Sequence, residues 1–206
     1  MTLRRIFFVI PISAVVIAGL VAFKLNRRYE PPPENDSSSV RRVPLFHLPD
    51  EHSRIVKLEA YAGRHKLLIV FFDGSRGAEG SELLSQVRER YAELSATGAI
   101  VLAISEARPS QNRYGAQLEH LKVDPSHPGG PSEGEAQFPF RVLTDILPSG
   151  PEYPVHRLFG AFDIENQKPR EAVFVVDRGQ TIRHSHLGPD GLGTVDDWIR
   201  ELNSVK

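Results

Sequence analysis

Residues 66–94, KLLIVFFDGSRGAEGSELLSQVRERYAEL, predict the centre of the fold. The segment Lys66–Phe72 is apolar after its first residue, which is typical of a strand buried on both faces of a sheet. A glycine-rich polar loop follows it, and apolar residues then recur at helical spacing until Gly98, a natural helix stop. A buried strand that leads through a loop into an amphipathic helix indicates an α/β protein.

The flanking segments extend this alternation of strands and helices. In chain order the predicted elements are a hairpin at 43–48 and 55–58, a strand at 66–72, a helix at 83–94, a strand at 99–104, a helix around 111–121, a strand at 138–143, a helix at 153–162, a hairpin at 172–176 and 181–187, and a helix at 195–202 capped by Thr194. This order predicts an α/β layer fold with a mixed central sheet flanked by helices. The loops at 124–137 and 147–154 suit either a partner surface or tolerated insertions.

Residues 1–28 are predicted to be a membrane anchor. Ile6–Phe23 is 18 residues without a charge. As a helix it would be about 27 Å long, close to the ~30 Å hydrocarbon core of a bilayer. The alternatives are a cleaved signal peptide, whose apolar region is usually shorter, and a buried core helix, against which the all-round apolarity together with the basic ends argues. The flanking basic residues are Arg4, Arg5, Lys24, Arg27 and Arg28.

The residues after the anchor are predicted to form a linker and a globular domain. Residues 29–42 form a linker rich in proline and serine, with the polar run EPPPENDSSS, and the globular domain is expected at 43–206. Basic residues nearly balance across the span, so charge alone does not orient it. Because a single N-terminal anchor most often sends the following domain across the membrane, we expect the domain on the extracytoplasmic side.

The charge distribution disfavours one class of partner. Of the 25 basic residues, five lie in the anchor, which leaves 20 against 26 acidic residues from residue 29 onward and a net charge of −6. A nucleic-acid-binding domain usually carries the opposite sign. We therefore expect no nucleic-acid partner.

Three segments resemble the peroxiredoxins, the redoxin group of alkyl hydroperoxide reductases and thiol-specific antioxidants in the thioredoxin-like superfamily. Residues 44–72, PLFHLPDEHSRIVKLEAYAGRHKLLIVFF, are similar to the start of that family. FPFRVLTD at 138–145 resembles its Phe-Pro-hydrophobic-x-x-Asp strand, and AVFVVDRGQTIRHSHLG at 172–188 resembles its last hairpin. The resemblance spans about residues 43–203 and implies a thioredoxin-like fold with peroxidase or oxidoreductase chemistry.

The resemblance also implies where a reactive thiol should lie, and this chain departs from it there. The family places a Pro-x-x-x-Thr/Ser-x-x-Cys loop at the start of the long helix, whose dipole lowers the thiol pKa. In the loop DGSRGAEGSELL at 73–84, Glu79 falls at the position of the cysteine and Arg76 at that of the threonine. A shift of one or two residues offers Gly80 or Ser81 instead.

A second implied position is equally altered. The family's substrate-binding arginine would lie just before the last hairpin, where Arg170 or Glu171 falls, depending on a shift of one residue. The proline that precedes this strand in thioredoxins is also missing, because Glu171-Ala172 occupies its place. The resemblance thus identifies a degenerate site.

The chain contains no cysteine. This excludes disulfides, thiolate metal sites and thiol peroxidase chemistry by the chain alone. A serine hydroxyl does not substitute, because it is far less acidic, needs an adjacent base and forms no sulfenate. No residue is therefore predicted to be catalytic, and no cofactor is expected.

Two histidines are the candidate metal ligands. His184 and His186 lie on one face of a predicted strand, at a spacing that occurs in metal sites. A complete site needs further ligands, which only folding supplies; the alternative is two polar residues on an exposed hairpin face. The candidates for the additional ligands are His47, His52, His65 and Asp177.

The loop before the long helix has two further interpretations. Arg76 lies among glycines before a helix N-terminus, which suits an anion. Glu79 and Glu82 compete for the same dipole and, one helical step apart, also suit a paired-carboxylate site. Exposed acidic residues in a first helical turn are common without either role.

Together these features predict a membrane-anchored, peroxiredoxin-like domain without a catalytic cysteine. We expect a non-catalytic binding or accessory module with an unidentified protein partner. The alternative is an antioxidant-type oxidoreductase of the redoxin family that acts through a metal or through a thiol of its partner.

Overall fold

The predicted strand that begins at Lys66 is the middle strand of a five-stranded sheet. A computed structural model of the chain describes residues 41–114, 138–146 and 152–205. Its elements, in chain order, are β1 (His47–Pro49), β2 (Ile55–Lys57), a 3₁₀ helix (Leu58–Tyr61), β3 (Lys66–Phe71), α1 (Glu82–Glu89), α2 (Tyr91–Ala96), β4 (Ala99–Ser105), α3 (Pro109–Tyr114), β5 (Arg141–Thr144), α4 (Pro154–Phe159), β6 (Phe162–Asp163), β7 (Lys168–Pro169), β8 (Ala172–Val176), β9 (Ile182–Leu187) and α5 (Val195–Ser204).

The central sheet is mixed and has the strand order β5-β4-β3-β8-β9. β3 pairs in parallel with β4, and β4 in parallel with β5. β8 lies between β3 and β9 and runs antiparallel to both, so that β8 and β9 complete the sheet on the other side of β3. The hairpins β1-β2 and β6-β7 are separate two-stranded sheets. The predicted mixed sheet with flanking helices is confirmed.

Two apolar cores cover the two faces of this sheet. Alternate residues of a strand point to opposite faces. Leu68 and Val70 therefore pack with the apolar faces of α1, α2 and α5. Leu67, Ile69 and Phe71 pack on the other side with the β1-β2 hairpin and α4. The continuous apolar sequence of β3 is explained by burial on both faces.

The last helix begins as its sequence predicts. Thr194 is its N-cap: the Thr194 hydroxyl accepts a hydrogen bond from the Asp197 amide at 3.3 Å, and the Asp197 carboxylate accepts one from the Thr194 amide at 3.0 Å. This reciprocal pair is a capping box. Trp198 and Leu202 of the same helix are buried against the sheet.

The structure corrects several predicted boundaries. The helix predicted at 83–94 is two helices, because Arg90 leaves the helical region with φ −103° and ψ 13°. The Arg90 guanidinium donates to Glu93 and to Asp196, each at 2.7 Å. The strand predicted at 138–143 is Arg141–Thr144, and the helix predicted at 153–162 is Pro154–Phe159. That helix ends at Gly160, which has φ +76°, and the chain then enters the unpredicted hairpin β6-β7.

Other predictions lie outside the described residues. They are the anchor at 1–28, the linker at 29–42 except for its last two residues, the loop at 124–137, most of 147–154 and the end of the helix around 111–121. Within the described ranges, no helix is long and apolar enough to cross a bilayer.

Candidate functional site

The loop between β3 and α1 is compact and closes on itself. The Ser75 amide donates to the Asp73 carboxylate at 2.8 Å, and the Gly77 amide donates to the Gly74 carbonyl at the same distance. A Cβ on Gly80 would lie 2.4 Å from the Arg76 Cβ, so the close approach of these two residues requires glycine. The glycines of this loop thus have a steric role.

The loop ends at the N-terminus of α1. Ser81 is the N-cap, and its hydroxyl accepts a hydrogen bond from the Leu84 amide at 3.3 Å. Ser81 is buried, whereas Glu79 is exposed. Since the Ser81 oxygen is used to cap the helix, its structural role is accounted for.

A cavity of about 420 Å³ lies at this helix N-terminus. It is bounded by the loop after β3, by the residue before β8 and by the segment that leads into α5. The lining residues are Asp73, Arg76, Gly80, Ser81, Glu82, Leu83, Gln86, Glu171, Pro189, Leu192 and Gly193.

Three of the five predicted degenerate positions meet at this cavity, namely Arg76, Gly80 and Ser81. Glu79 does not line it. Arg170 lies elsewhere: its guanidinium donates to the Gly160 carbonyl at 2.7 and 3.1 Å. Glu171, the alternative at that position, lines the cavity instead.

The cavity is acidic. Burial raises the pKa of Glu171, and the charges of Asp73 and Glu82 raise it further, against a hydrogen bond from the Asp73 backbone. Burial acts to raise the pKa of Asp73 as well. Hydrogen bonds from Ser75 and Glu106 and the charge of Arg76 outweigh this effect and hold the pKa of Asp73 below its usual value. One guanidinium therefore faces three carboxylates, which opposes the predicted anion site at Arg76.

The predicted pair of Glu79 and Glu82 is not assembled at the cavity, because only Glu82 lines it. A different carboxyl lies behind the loop. The Gly74 amide donates to Glu106 Oε1 at 3.0 Å, and burial raises the pKa of Glu106. The charge of Asp73 raises the pKa of Glu106 further.

A buried pair that the sequence did not predict lies behind this cluster. His156 Nδ1 lies 2.7 Å from Asp145 Oδ2, which also accepts a hydrogen bond from the His156 amide at 2.7 Å. Both side chains are fully buried, and the imidazole packs edge-on against Phe71. The available signal was a histidine within the apolar run of PVHRLFG, downstream of the aspartate in FPFRVLTD.

The two predicted metal ligands lie on β9 and meet one carboxylate of α5. His186 Nε2 is 2.9 Å from Glu201 Oε2, and His184 Nδ1 is 3.4 Å from Glu201 Oε1. Of the four further ligands suggested by sequence, His47 contacts Glu59 and Asp177 contacts Arg183. Glu201 is the third candidate ligand, and helix packing alone brings it to the histidines.

Among the described residues, three metal-ligating side chains converge within 4.8 Å at Asp50, Glu51 and His52. Asp50 already accepts hydrogen bonds from Arg54 Nε at 3.0 Å and Arg141 at 2.9 Å, and from two backbone amides. These donors satisfy the carboxylate as an ion-pair and turn residue. The cluster is therefore explained without a metal.

Comparisons with known proteins identify the family of the chain. The AhpC/TSA family matches residues 40–185. Among curated proteins, none matches the chain.

Similar solved structures include three from different organisms. The peroxidoxin BcpB of Mycobacterium tuberculosis is 15% identical with a TM-score of 0.58, and the match covers 82% of this chain and 97% of that one. The mitochondrial 2-Cys peroxiredoxin of Plasmodium falciparum is 12% identical with a TM-score of 0.54, and the match covers 80% of this chain and 92% of that one. A thiol:disulfide interchange protein DsbE of Chlorobium tepidum is 18% identical with a TM-score of 0.51, and the match covers 81% of this chain and 99% of that one. At these identities the matches show the fold alone.

The family match covers most of the chain, and the sheet order and flanking helices are those of its thioredoxin-like fold. The position that the resemblance assigns to a peroxidatic thiol holds none, because the sequence has no cysteine. The chain is a cysteine-free member of the AhpC/TSA family of peroxiredoxin-like proteins.

Proposed function

We propose that the chain is a membrane-anchored accessory module whose thioredoxin-like domain binds a protein partner and carries out no thiol chemistry. The observation that carries this proposal is the lining of the cavity at the start of α1. Asp73, Glu82 and Glu171 line this cavity together with Gly80 and Ser81, the two positions at which the family's thiolate would fall after a shift of one or two residues. An acidic cavity at the start of this helix favours binding over peroxide reduction.

Electrostatics support the loss of peroxidase chemistry beyond the missing sulfur. A peroxidatic thiol must ionise near neutral pH, and nearby positive charge or a helix N-terminus promotes this. Here three carboxylates stand against one arginine, Arg76. Any thiolate placed among them is destabilised by like charge. The lining therefore opposes the reaction even if a partner supplied the thiol.

The same lining supports a polar or positively charged group of a partner as occupant. Most of the cavity wall is polar, and its rim includes the exposed side chain of Gln86. A cationic group placed between Asp73 and Glu171 would relieve the repulsion that raises the pKa of Glu171. The partner itself is not identified.

Anchoring rests on the sequence of residues 1–42. Ile6–Phe23 is long enough to span a bilayer, and the linker at 29–42 would hold the domain away from it. We propose a single-pass N-terminal anchor with the domain on the extracytoplasmic side. Carbonate extraction of full-length chain from membranes, compared with a chain lacking residues 2–28, tests the anchor. An N-terminal tag that is lost from the mature protein would indicate a cleaved signal peptide and overturn it.

Site-specific photo-crosslinking of the full-length chain in its native membrane tests partner binding. A photoreactive residue at Gln86, on the cavity rim, is compared with one at Lys57, an exposed position on the β1-β2 hairpin. We expect a discrete adduct from position 86 and none from position 57, and Glu171→Lys should abolish it. Equal adducts from both positions, or none, would contradict a role for the cavity.

Peroxide turnover is measured on the same full-length protein, with excess dithiol and with or without a chelator. We expect hydroperoxide consumption at the level of buffer in both conditions. Turnover that resists the chelator would mean that a thiol supplied in trans supports catalysis. That result would replace the accessory role by the oxidoreductase alternative.

The position of Glu201 beside the two histidines favours a second candidate function, a metal-dependent oxidoreductase with the same fold. His184, His186 and Glu201 are a ligand set that zinc and other divalent transition metals use, and their side chains are 39%, 19% and 17% exposed. Each imidazole now meets a different carboxylate oxygen, so metal binding requires the side chains to rotate. Equilibrium dialysis against Fe²⁺ under anaerobic conditions tests the site, because Zn²⁺ is not redox-active, with His184→Ala/His186→Ala as the variant and His47→Ala/His52→Ala as the matched control. Retention of one equivalent by wild type and control, together with chelator-sensitive peroxide turnover, would support this candidate.

A further inference from the structure

The edge of the central sheet at which β3 begins is distinct from the cavity edge. The described chain enters the domain there: the Ile182 amide donates to the Arg41 carbonyl at 2.8 Å, and the Val43 amide donates to the Gln180 carbonyl at 2.9 Å. The Gly63 amide donates to the Arg178 carbonyl at 2.8 Å. Backbone hydrogen bonds therefore place residues 41–43, 63–66 and 177–182 side by side. We call this group of residues the amino edge.

Basic side chains dominate the exposed part of the amino edge. Arg42, Arg64 and Arg178 are exposed, and within the described residues none of them takes part in an ion pair. His65 is exposed beside Arg64. These three arginines are available to an external anion.

The other charged groups at or beside the amino edge already have hydrogen-bond or ion-pair partners; the Arg41 guanidinium donates to the Phe159 carbonyl at 2.9 Å. Asp177 is the acidic residue of the amino edge. Its side chain is almost buried and accepts hydrogen bonds from the Thr181 amide at 2.9 Å and from Arg183 Nε at 2.7 Å. Lys66 is buried and donates to the Leu202 carbonyl at 2.8 Å. Glu59, in the preceding 3₁₀ helix, contacts His47. The exposed charge of the amino edge is thus positive, although the domain as a whole is acidic.

The acidic cavity lies at the opposite edge of the same sheet. Asp73 follows the carboxyl end of β3, and Glu171 precedes β8, which runs antiparallel to β3. Six residues of strand separate the two edges by about 20 Å. The domain is therefore polarised along β3, with unpaired arginines at one edge and carboxylates at the other.

We infer that Arg42, Arg64 and Arg178 bind the headgroups of anionic lipids, so that the amino edge rests on the bilayer and the acidic cavity faces away from it. This inference rests on the membrane anchoring proposed above. The linker leaves the domain at Arg41, on the same edge, and guanidinium groups bind phosphate oxygens in a bidentate manner. An anionic surface attracts this edge and repels Asp73, Glu82 and Glu171 at the other. The cavity is thereby left open to a partner.

The absence of cysteine makes the test direct, because one introduced cysteine labels one position. The full-length chain is reconstituted into vesicles that contain headgroup-nitroxide lipid as a fluorescence quencher. A fluorophore at His65→Cys reports on the amino edge, and one at Gln86→Cys reports on the cavity rim. Vesicles with about 30% phosphatidylglycerol are compared with neutral phosphatidylcholine vesicles, at low salt and in 0.5 M NaCl, where surface charge is screened.

We expect quenching at position 65 in anionic vesicles at low salt, little in neutral vesicles or high salt, and none at position 86. Each basic residue near an anionic surface changes partitioning roughly fivefold. Replacing all three arginines by glutamate should therefore abolish the quenching. The matched control reverses Arg88, Arg108 and Arg200, exposed arginines outside the amino edge, with the same change in net charge.

Two results would overturn the inference. One is equal quenching in neutral and anionic vesicles, which would mean that the tether alone brings the domain close. The other is an equal effect of the control reversals, which would assign the attraction to net charge. Co-flotation of the chain with the vesicles is recorded in every sample, because its loss would indicate failure of the anchor itself.

Discussion

His156 Nδ1 lies 2.7 Å from Asp145 Oδ2, and neither side chain is exposed to solvent. Because a carboxylate oxygen accepts, the imidazole donates through Nδ1, and the backbone amide of His156 donates to the same oxygen at 2.7 Å. The pair fastens the first turn of α4 to the end of β5. Burial makes this contact expensive to break.

His156→Ala should therefore destabilise the domain strongly. The substitution removes the side-chain donor of a buried carboxylate and leaves a cavity beside Phe71, for which we expect a loss of about 3–5 kcal/mol. Urea unfolding followed by the fluorescence of Trp198 measures it. His52→Ala, at an exposed histidine, is the control. Equal midpoints for the two variants would show that the pair contributes little.

Glu171→Gln should stabilise the protein at neutral pH. Burial raises the pKa of Glu171 in the folded state, and such a carboxyl costs stability at every pH above its unfolded pKa, near 4.3. We expect Tm to rise by roughly 1–3 °C at pH 7. The gain should shrink as the pH falls through the folded pKa and vanish by about pH 4. Glu89→Gln, on the exposed part of α1, should leave Tm unchanged; a gain for Glu171→Gln that persists at pH 4 would contradict the electrostatic cause.

A cysteine at Ser81 should fail to become a reactive thiolate. Ser81 lines the cavity at the helix N-terminus, where the dipole favours ionisation but Asp73, Glu82 and Glu171 oppose it. In Ser81→Cys we expect a thiol pKa no lower than the ordinary value of about 8.5, measured by thiolate absorbance at about 240 nm, and no peroxide consumption.

Removal of one carboxylate from that variant is the internal control. In Ser81→Cys/Glu171→Gln the thiol pKa should fall by about one unit, or roughly 1.4 kcal/mol, since one like charge is lost. A thiol in the single variant that ionises below pH 7 and turns over peroxide would argue against the proposed accessory role.

Gly80→Ala should destabilise the loop before α1. The new methyl group would lie 2.4 Å from the Arg76 Cβ and 2.8 Å from the Arg76 carbonyl oxygen, so the backbone must move. We expect a cost of about 1–3 kcal/mol in urea unfolding. Ser75→Ala changes the same loop at an exposed position and should cost much less. If both variants unfold at the same urea concentration, the close packing at Gly80 is not maintained in solution.

Local patterns were sufficient for most of the fold. The apolar run of β3 predicted a strand buried on both faces, and the cap at Thr194 predicted the start of α5, because both depend on neighbours in sequence. The break at Arg90 was not predictable in this way. Its guanidinium binds Asp196, 106 residues away, and helical spacing continues across it.

At the site, too, the sequence predicted one part and the tertiary structure decided the other, as the orientation of Arg170 and Glu171 shows. Sequence placed both residues before β8 and left open which of them belongs to the site. Alternation along β8 puts Glu171 on the face of Val173 and Val175, toward α1 and α5, and Arg170 on the opposite face, where it binds Gly160. The choice became clear once the helices were assigned to faces of the sheet.

The sequence by itself determined the family, most of the order of strands and helices, and the absence of a thiol in the chain, because these follow from residue type and local spacing. Only the tertiary structure decided that Asp73, Glu82 and Glu171 share one cavity, that Glu201 meets His184 and His186, and that Asp145 and His156 are paired. Each of these contacts joins elements far apart in the chain. Their distances depend on the packing of helices on the sheet, which no local pattern encodes.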